Sequence, residues 1–452
     1  MENADLKYMY FEPIAKLIDE NEVSDTFNSV KVLVKNDKLY MQDPSGLFEY
    51  DFCNGFRIHF YEENTPYQIT ITDKDGNIIF NSILIPNKNT IYAVSKVYFI
   101  HYKVAIAKYL HCAPELPPAR IIEYNPDNQP IAIFLAYNYK RSGLGDSIAW
   151  LNSCIYFAEK FPKARINVVL NDNALKDFFE NYTTLPNYKN ISLVNYNDAV
   201  NQQFYAEYFI AYFNMATLKN SVERFNYYKE SNCFDGLIKA GLDILGIEGI
   251  DGYKEKPKLK IRNIERKKSE KPYVCIGTSA SSFYKKWLSK YGWDKVVDYL
   301  KSIGYDVYDI DKYNVEQYNC LITVSIPKNV IDDTGDIPIY KRVERIINSD
   351  FFIGLGSGLS WVAWLCEVPV VLISGFSKPK SEFYTPYRVI NYNVCNGCWN
   401  ELNHDWEAKS CCPVYGNNLN DEHFLICSYA IRGESVISSI NKIPCVQEKI
   451  NG

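Results

Sequence analysis

Residues 351–364 read FFIGLGSGLSWVAW. The opening apolar run has no polar alternation, as in a strand buried on both faces of a parallel sheet. The turn that follows, Gly354-Leu355-Gly356-Ser357-Gly358-Leu359-Ser360, spaces its glycines so that backbone can approach a ligand closely. Ser357 and Ser360 add hydroxyls, and the helix that begins there turns its positive end toward the same place. Strand, glycine turn and helix N-terminus together make a seat for phosphate. A tight turn with no ligand is the alternative reading. A second buried strand, VPVVLISGF at 368–376, follows at once, so the fold here is α/β.

The same pattern stands upstream. YVCIGTSASSFYKK, from 273, is a strand ending in a hydroxyl-rich turn. Thr278 and Ser279 offer groups that bond phosphate oxygens, and Lys285 or Lys286 can neutralise them as a point charge. The alternative leaves both lysines as solvated helix-start residues. Together, 266–452 reads as a Rossmann-like domain that takes a sugar nucleotide. The 354–360 turn resembles the diphosphate seat of sugar-nucleotide transferases built from two facing Rossmann-like domains.

Residues 129–265 also alternate strand and helix. PIAIFLAY is a strand and NYKRSGLGDSIAW a turn holding Gly143, Leu144, Gly145 and Asp146. RINVVLN, NALKDFFENY and ISLVNY continue as strand, helix and strand. Ligands gather at the carboxyl ends of such strands, where the 143–146 turn lies. Asp146 has two readings: a helix N-cap, or a base that takes a proton from an acceptor hydroxyl. The sequence from 205 to 249 reads as helices, and the charged run at 255–272 as the linker between domains. Neither a phosphate-binding G-x-x-x-x-G-K-[ST] loop nor a first-strand G-x-G-x-x-G is present, which argues against a P-loop kinase and a standard dinucleotide oxidoreductase.

Residues 1–128 carry short strands separated by turn signals and read as a β-rich domain. The N-terminus lacks the basic and apolar regions of a signal peptide. No clean apolar run reaches the ~20 residues of a membrane helix. The expectation is a soluble, cytoplasmic chain. Lys and Arg number 49 against 54 Asp and Glu, a formal charge of −5, so no basic field draws it to nucleic acid.

Of 13 cysteines, five fall between 395 and 427. Cys395 and Cys398 have the two-residue spacing that lets one ion take both thiolates, and Cys412 and Cys427 supply a second pair. That is a four-cysteine site for iron, or alternatively zinc, in a finger over 391–430. Four protein ligands leave no open position, so the metal is expected to be structural and no catalytic metal is expected. Cys411, His404 and His423 are the substitute ligands.

GLGDSIAW, ASSFYKKW, GLGSGLSWVAW, PVVLISGFSKPKSEFYTPYRVIN, CNGCW, the Cys412-Pro413 pair and HFLIC occur in that order. The series resembles the bacterial autotransporter heptosyltransferases over roughly residues 90–445. The resemblance implies two facing Rossmann-like domains (a GT-B-like glycosyltransferase), an N-terminal β domain and an iron-binding finger. It implies heptose transfer from ADP-heptose to serine or threonine hydroxyls of an autotransporter-type protein, by a homo-oligomer. It places Asp146 as catalytic base, Lys285 as a diphosphate contact, the donor turn at Gly356, Ser357, Gly358, Leu359 and Ser360, and iron on Cys395, Cys398, Cys412 and Cys427. The chain departs from the family pattern at Cys411 and Val414, which flank the Cys-Pro pair. A related transferase using another sugar nucleotide or a glycan acceptor, and a non-catalytic metal-stabilised assembly protein, are the rival readings.

Overall fold

The computed structural model describes residues 30–34, 39–53, 56–87, 90–94, 103–109, 120–135, 143–210, 236–267, 269–318, 322–399, 412, 414 and 424–451. Cys411, His404, His423 and the middle of the 205–249 segment lie outside the described residues.

Four parallel strands organise the N-terminal half: β1 (Pro130–Phe134), β2 (Arg165–Leu170), β3 (Ile191–Asn195) and β4 (Ala206–Phe209). β2 and β4 flank β1, and β3 lies beyond β2. Ile131, Ala132 and Ile133 are fully buried, because helices cover the sheet and no polar alternation is needed. Helices α1 (Leu144–Lys160) and α2 (Asn173–Tyr182) make two of the connections. Asp172 starts α2 by accepting hydrogen bonds from the N–H groups of Ala174 and Leu175 at 2.9 and 3.1 Å.

β4 corrects the sequence reading, which makes 205–249 helical. Helix resumes in the described residues only at α3 (Leu237–Ile244). A four-residue aromatic run is too short for its period to separate strand from helix. The open side of β1 decides instead. β4 fills it and pairs, on its other side, with Phe48–Cys53. Through that contact the antiparallel strands Phe56–Phe60, Thr90–Val94 and Val30–Val34 extend the same sheet.

The C-terminal half is a second parallel sheet. Its strands are β5 (Tyr273–Ile276), β6 (Asp306–Asp309), β7 (Ile331–Asp332), β8 (Phe351–Leu355), β9 (Val370–Ile373) and β10 (Arg388–Val389). Their order is β7-β6-β5-β8-β9-β10. The chain moves outward from β5 in one direction and from β8 in the other, so the switch point lies between them. The turns at 277–286 and 356–358 both leave from that point. Helices α4 (Ile339–Ile347) and α5 (Gly358–Leu365) belong to this half.

The halves meet through α1 against α5 and α2 against α4. Tyr182 and Tyr340 stack across the second contact with ring centres 4.7 Å apart and 6° between planes. The charged run at 255–272 is not a free tether. Leu259 is fully buried, Lys258 N–H donates to Asn152 Oδ1 at 2.6 Å, and Arg262 N–H donates to the Tyr182 carbonyl at 2.9 Å. This run is laid down on the N-terminal half before the chain crosses over.

Candidate active site

The two glycine turns close onto one cleft. A Cβ on Gly145 would stand 2.7 Å from Trp361 Cδ1, and one on Gly358 would stand 3.0 Å from Leu144 Cβ. Glycine at both positions is what lets the N-termini of α1 and α5 approach so closely. Between them lies a cavity of about 240 Å³. Gly143, Leu144, Gly145 and Asp146 line it from one half, and Gly356, Ser357, Gly358 and Lys285 from the other.

Asp146 is not the N-cap. Gly143 holds that position, and Asp146 is the third residue of α1. Among the described residues its carboxylate makes no hydrogen bond. The side chain keeps partial exposure toward the cavity while sitting deep in the protein. Burial pushes its pKa above the ordinary aspartate value, and the Lys285 charge works in the opposite direction. An unpaired, desolvated carboxylate in a cleft has the properties of a general base.

The two lysines part company. A short 3-10 turn, Phe283–Lys285, delivers Lys285 to the cavity, 5.8 Å from the centre of the Trp399 ring. Lys286 points inward, is almost fully buried and donates to Ser279 Oγ at 2.9 Å. Thr278 and Ser279 are also turned away from the cavity. Their N–H groups donate to Asp311 Oδ2 at 2.5 and 2.7 Å, and the Thr278 hydroxyl reaches Asp309 and Asp311 at 3.1 Å. The structure therefore uses Thr278, Ser279 and Lys286 to build the turn that presents Lys285. Asp309 and Asp311 are both buried, and burial followed by mutual repulsion raises Asp309 to about 8.

The 356–360 turn divides likewise. Ser357 is the N-cap of α5 with no side-chain cap bond, so its hydroxyl stays at the cavity beside Gly356 and Gly358. The Ser360 hydroxyl is committed to the Leu355 carbonyl at 2.6 Å. Leu359 packs in the core against the backbone at Gly277. Trp361, Ser377, Glu382 and Trp399 line the cavity without having been singled out by sequence. Each lies in a stretch that the family resemblance rests on, and a tryptophan beside a metal-spaced cysteine was the clearest available signal.

The four cysteines gather next to this cleft. Cys395 and Cys398 are half-buried, and Cys412 and Cys427 are buried. Burial first, and then the charge of neighbouring thiols, pushes Cys398 and Cys427 up to about 12. Among the described residues no three His, Cys, Asp or Glu side chains are drawn together tightly enough to hold a metal ion. The chemistry of the donor set nonetheless fits a thiophilic cation: Cys398 and Cys427 are costly to ionise beside their neighbouring thiols, and a bound cation would offset that cost. Backbone contacts place the finger. Gly397 N–H donates to the Gly375 carbonyl at 2.9 Å and Trp399 N–H to the Phe376 carbonyl at 3.0 Å. Ser428, next to Cys427, accepts from Leu288 N–H at 2.8 Å and donates to the Lys286 carbonyl at 2.6 Å. The described residues on either side of 400–423 thereby hold the turn that carries Lys285.

No family model matches the chain. Aah of Escherichia coli, an autotransporter heptosyltransferase, is 33% identical over 396 residues, covering 87% of this chain and 92% of Aah. TibC of Escherichia coli O78:H11, another autotransporter heptosyltransferase, is 30% identical over 406 residues, covering 88% and 90%. The crystal structure of dodecameric, iron-containing TibC in complex with ADP-D-beta-D-heptose matches the fold with a TM-score of 0.73 at 27% identity, covering 91% of this chain and 99% of that one. The paired parallel sheets are thus an α/β glycosyltransferase fold similar to that of TibC. With a third of its residues identical to Aah along nearly the whole of both proteins, this chain belongs to the autotransporter heptosyltransferases.

Proposed function

We propose that the chain transfers heptose from ADP-heptose to serine or threonine hydroxyls of an autotransporter-type protein, with inversion at the anomeric carbon. The observation that carries the reading is the unbonded Asp146 carboxylate sharing one cavity with Lys285 and the 356–358 turn. The acceptor oxygen bonds to the anomeric carbon as its proton passes to Asp146. The bond from that carbon to phosphate breaks, and its electron pair leaves with ADP. Lys285, the N–H groups at the start of α5 and the Ser357 hydroxyl receive the charge that develops on the diphosphate. Residues 129–265 are then the acceptor side, 266–452 the donor side, and the β-rich 1–128 an added module. Cys395, Cys398, Cys412 and Cys427 would hold iron, or alternatively zinc, which bound there supplies structural rigidity. The working form is a homo-oligomer, as the dodecameric TibC suggests, and it acts in the cytoplasm.

The test is incubation of the purified protein with ADP-heptose and a serine-rich autotransporter passenger fragment. ADP release matched by a gain of one heptose mass on serine or threonine is the expected result. A glycan product, or turnover only with another sugar nucleotide, would transfer the assignment to a related glycosyltransferase. No turnover and no affinity for ADP would leave a non-catalytic assembly protein.

Lys285→Ala has a distinct signature. Loss of one charge-assisted contact is worth roughly 1.5–3 kcal/mol, or about 10- to 100-fold. That loss should appear in both the KM for ADP-heptose and the Kd for ADP, because both ligands carry the diphosphate. An unchanged Kd for ADP would remove Lys285 from the diphosphate site.

A further inference from the structure

One carboxylate in the cavity has no part in the chemistry above. Glu382 follows the short 3-10 turn Pro379–Ser381 and lines the same cavity as Asp146, yet only 7% of its surface is exposed. Its two oxygens have different surroundings. Oε2 is held by Arg388 Nη1 at 2.7 Å, and both side chains of that pair are almost fully buried. A second Arg388 nitrogen donates to the Phe383 carbonyl at 3.3 Å, which fixes the guanidinium and with it the carboxylate plane. Oε1 lies against Gly356, so closely that any Cβ there would overlap it. Ser377 Oγ is 3.4 Å from that same Cβ position, also lines the cavity, and is oriented by Ser374 Oγ at 2.8 Å.

A buried carboxylate next to a diphosphate seat would be repulsive if it were unpaired. Arg388 cancels that charge while leaving Oε1 as a strong acceptor. An acceptor with no net charge to repel anions suits a neutral hydroxyl donor. At about 240 Å³ the cavity is below the roughly 300–1,000 Å³ of pockets for drug-sized ligands, so it takes one end of a nucleotide sugar. The end that must reach Asp146 is the sugar. Resting on the function proposed above, we infer that Glu382 Oε1 and Ser377 Oγ form the hydroxyl-reading subsite for the transferred sugar, with Arg388 as the positioning residue behind them. Glycine at 356 gives the carboxylate room to reach the cavity.

The sugar and the adenosine ribose both present vicinal hydroxyls, and one assay separates them. KM and kcat for ADP-heptose, and Ki for ADP as competitor, are measured for the wild type and for Glu382→Gln. Glutamine keeps the shape and weakens the acceptor. The expected result is a roughly 10- to 100-fold fall in kcat/KM with Ki for ADP changed less than about threefold, since hydrogen bonds to charged groups carry that much discrimination. Ser377→Ala, which leaves the Arg388 pair intact, should show the same pattern at roughly three- to tenfold. Should the stranded Arg388 cation unfold Glu382→Gln, the double variant Glu382→Gln/Arg388→Met removes it, and the same ratio is read. Equal losses for ADP and ADP-heptose would assign Glu382 to the ribose or to the fold, and unchanged kinetics would assign it to neither ligand; both overturn the inference. A wild-type protein that releases no ADP from ADP-heptose fails the functional reading instead, and is recognised before any variant is compared.

Discussion

Asp146→Asn should abolish heptose transfer, bind ADP like the wild type, and unfold at a higher temperature than the wild type at neutral pH. Each result follows from the surroundings of one carboxylate. Removal of a general base typically lowers turnover by ~10²–10⁴-fold. ADP binding should be spared because the diphosphate contacts proposed above, Lys285 and the start of α5, line the cavity from the other half. The stability gain follows from linkage. Burial raises the folded-state pKa of Asp146 above its unfolded value, and the Lys285 charge only partly offsets this. Between those two pKa values the folded state holds a proton that the unfolded state has released. Stability is therefore lost as pH rises through that window, and the penalty for a desolvated carboxylate grows toward neutral pH. Asparagine carries no such penalty, so its advantage should vanish below the unfolded pKa of aspartate. The wild-type rate should fall with acidification at a higher pH than an ordinary aspartate would give, because the base must be ionised. Thermal unfolding at neutral and acidic pH, titration calorimetry with ADP, and a pH–rate profile check all three. Normal turnover by the asparagine variant would exclude Asp146 as the base.

The residues behind this prediction were unevenly legible. Both glycine turns, the strands before them and the helices after them could be read directly, because each is a local pattern bounded by residues of strong preference. The sequence also placed Asp146, Lys285, Gly356, Ser357 and Gly358 in donor or catalytic roles, and these line the cavity. Thr278, Ser279 and Lys286 looked equally suitable, but their bonding partners are tertiary. Asp311, which takes both N–H groups, is brought beside them only when β6 pairs with β5. Glu382 was hidden for the same reason. Within SEFYTPYRVIN nothing local marks it, and its meaning depends on Arg388 behind it and Gly356 in front. β4 escaped because a neighbouring strand, and not its own period, fixed its conformation. Sequence speaks clearly where a residue answers to its neighbours in the chain, and poorly where it answers to another strand.

The finger gives the second large effect. Cys395→Ser should lose the metal, lower the unfolding temperature and raise the KM for ADP-heptose together. Cys395 is the suitable thiol to remove, because it is half-buried and its loss leaves little cavity. Structural sites of this kind carry apparent binding free energies of about 10–16 kcal/mol in isolated zinc-finger peptides, so loss of even part of that coupling should destabilise the C-terminal half severely. The kinetic consequence has a specific route. Cys427 adjoins Ser428, which bridges the Lys286 carbonyl and Leu288 N–H. Phe424, Leu425 and Cys412 pack on Phe283, Tyr284 and Leu288 in the same turn. Cys398 adjoins Trp399, a wall of the cavity near Lys285. Without the proposed metal to draw the four cysteines together, both grips should slacken and Lys285 should lose its fixed position. Metal content by elemental analysis, thermal unfolding and donor KM read the three consequences separately. A Cys395→Ser protein that is metal-free yet as stable and active as the wild type would sink the structural-metal assignment. One that retains metal and loses only activity would place the ion in the chemistry and overturn the closed four-cysteine site proposed above.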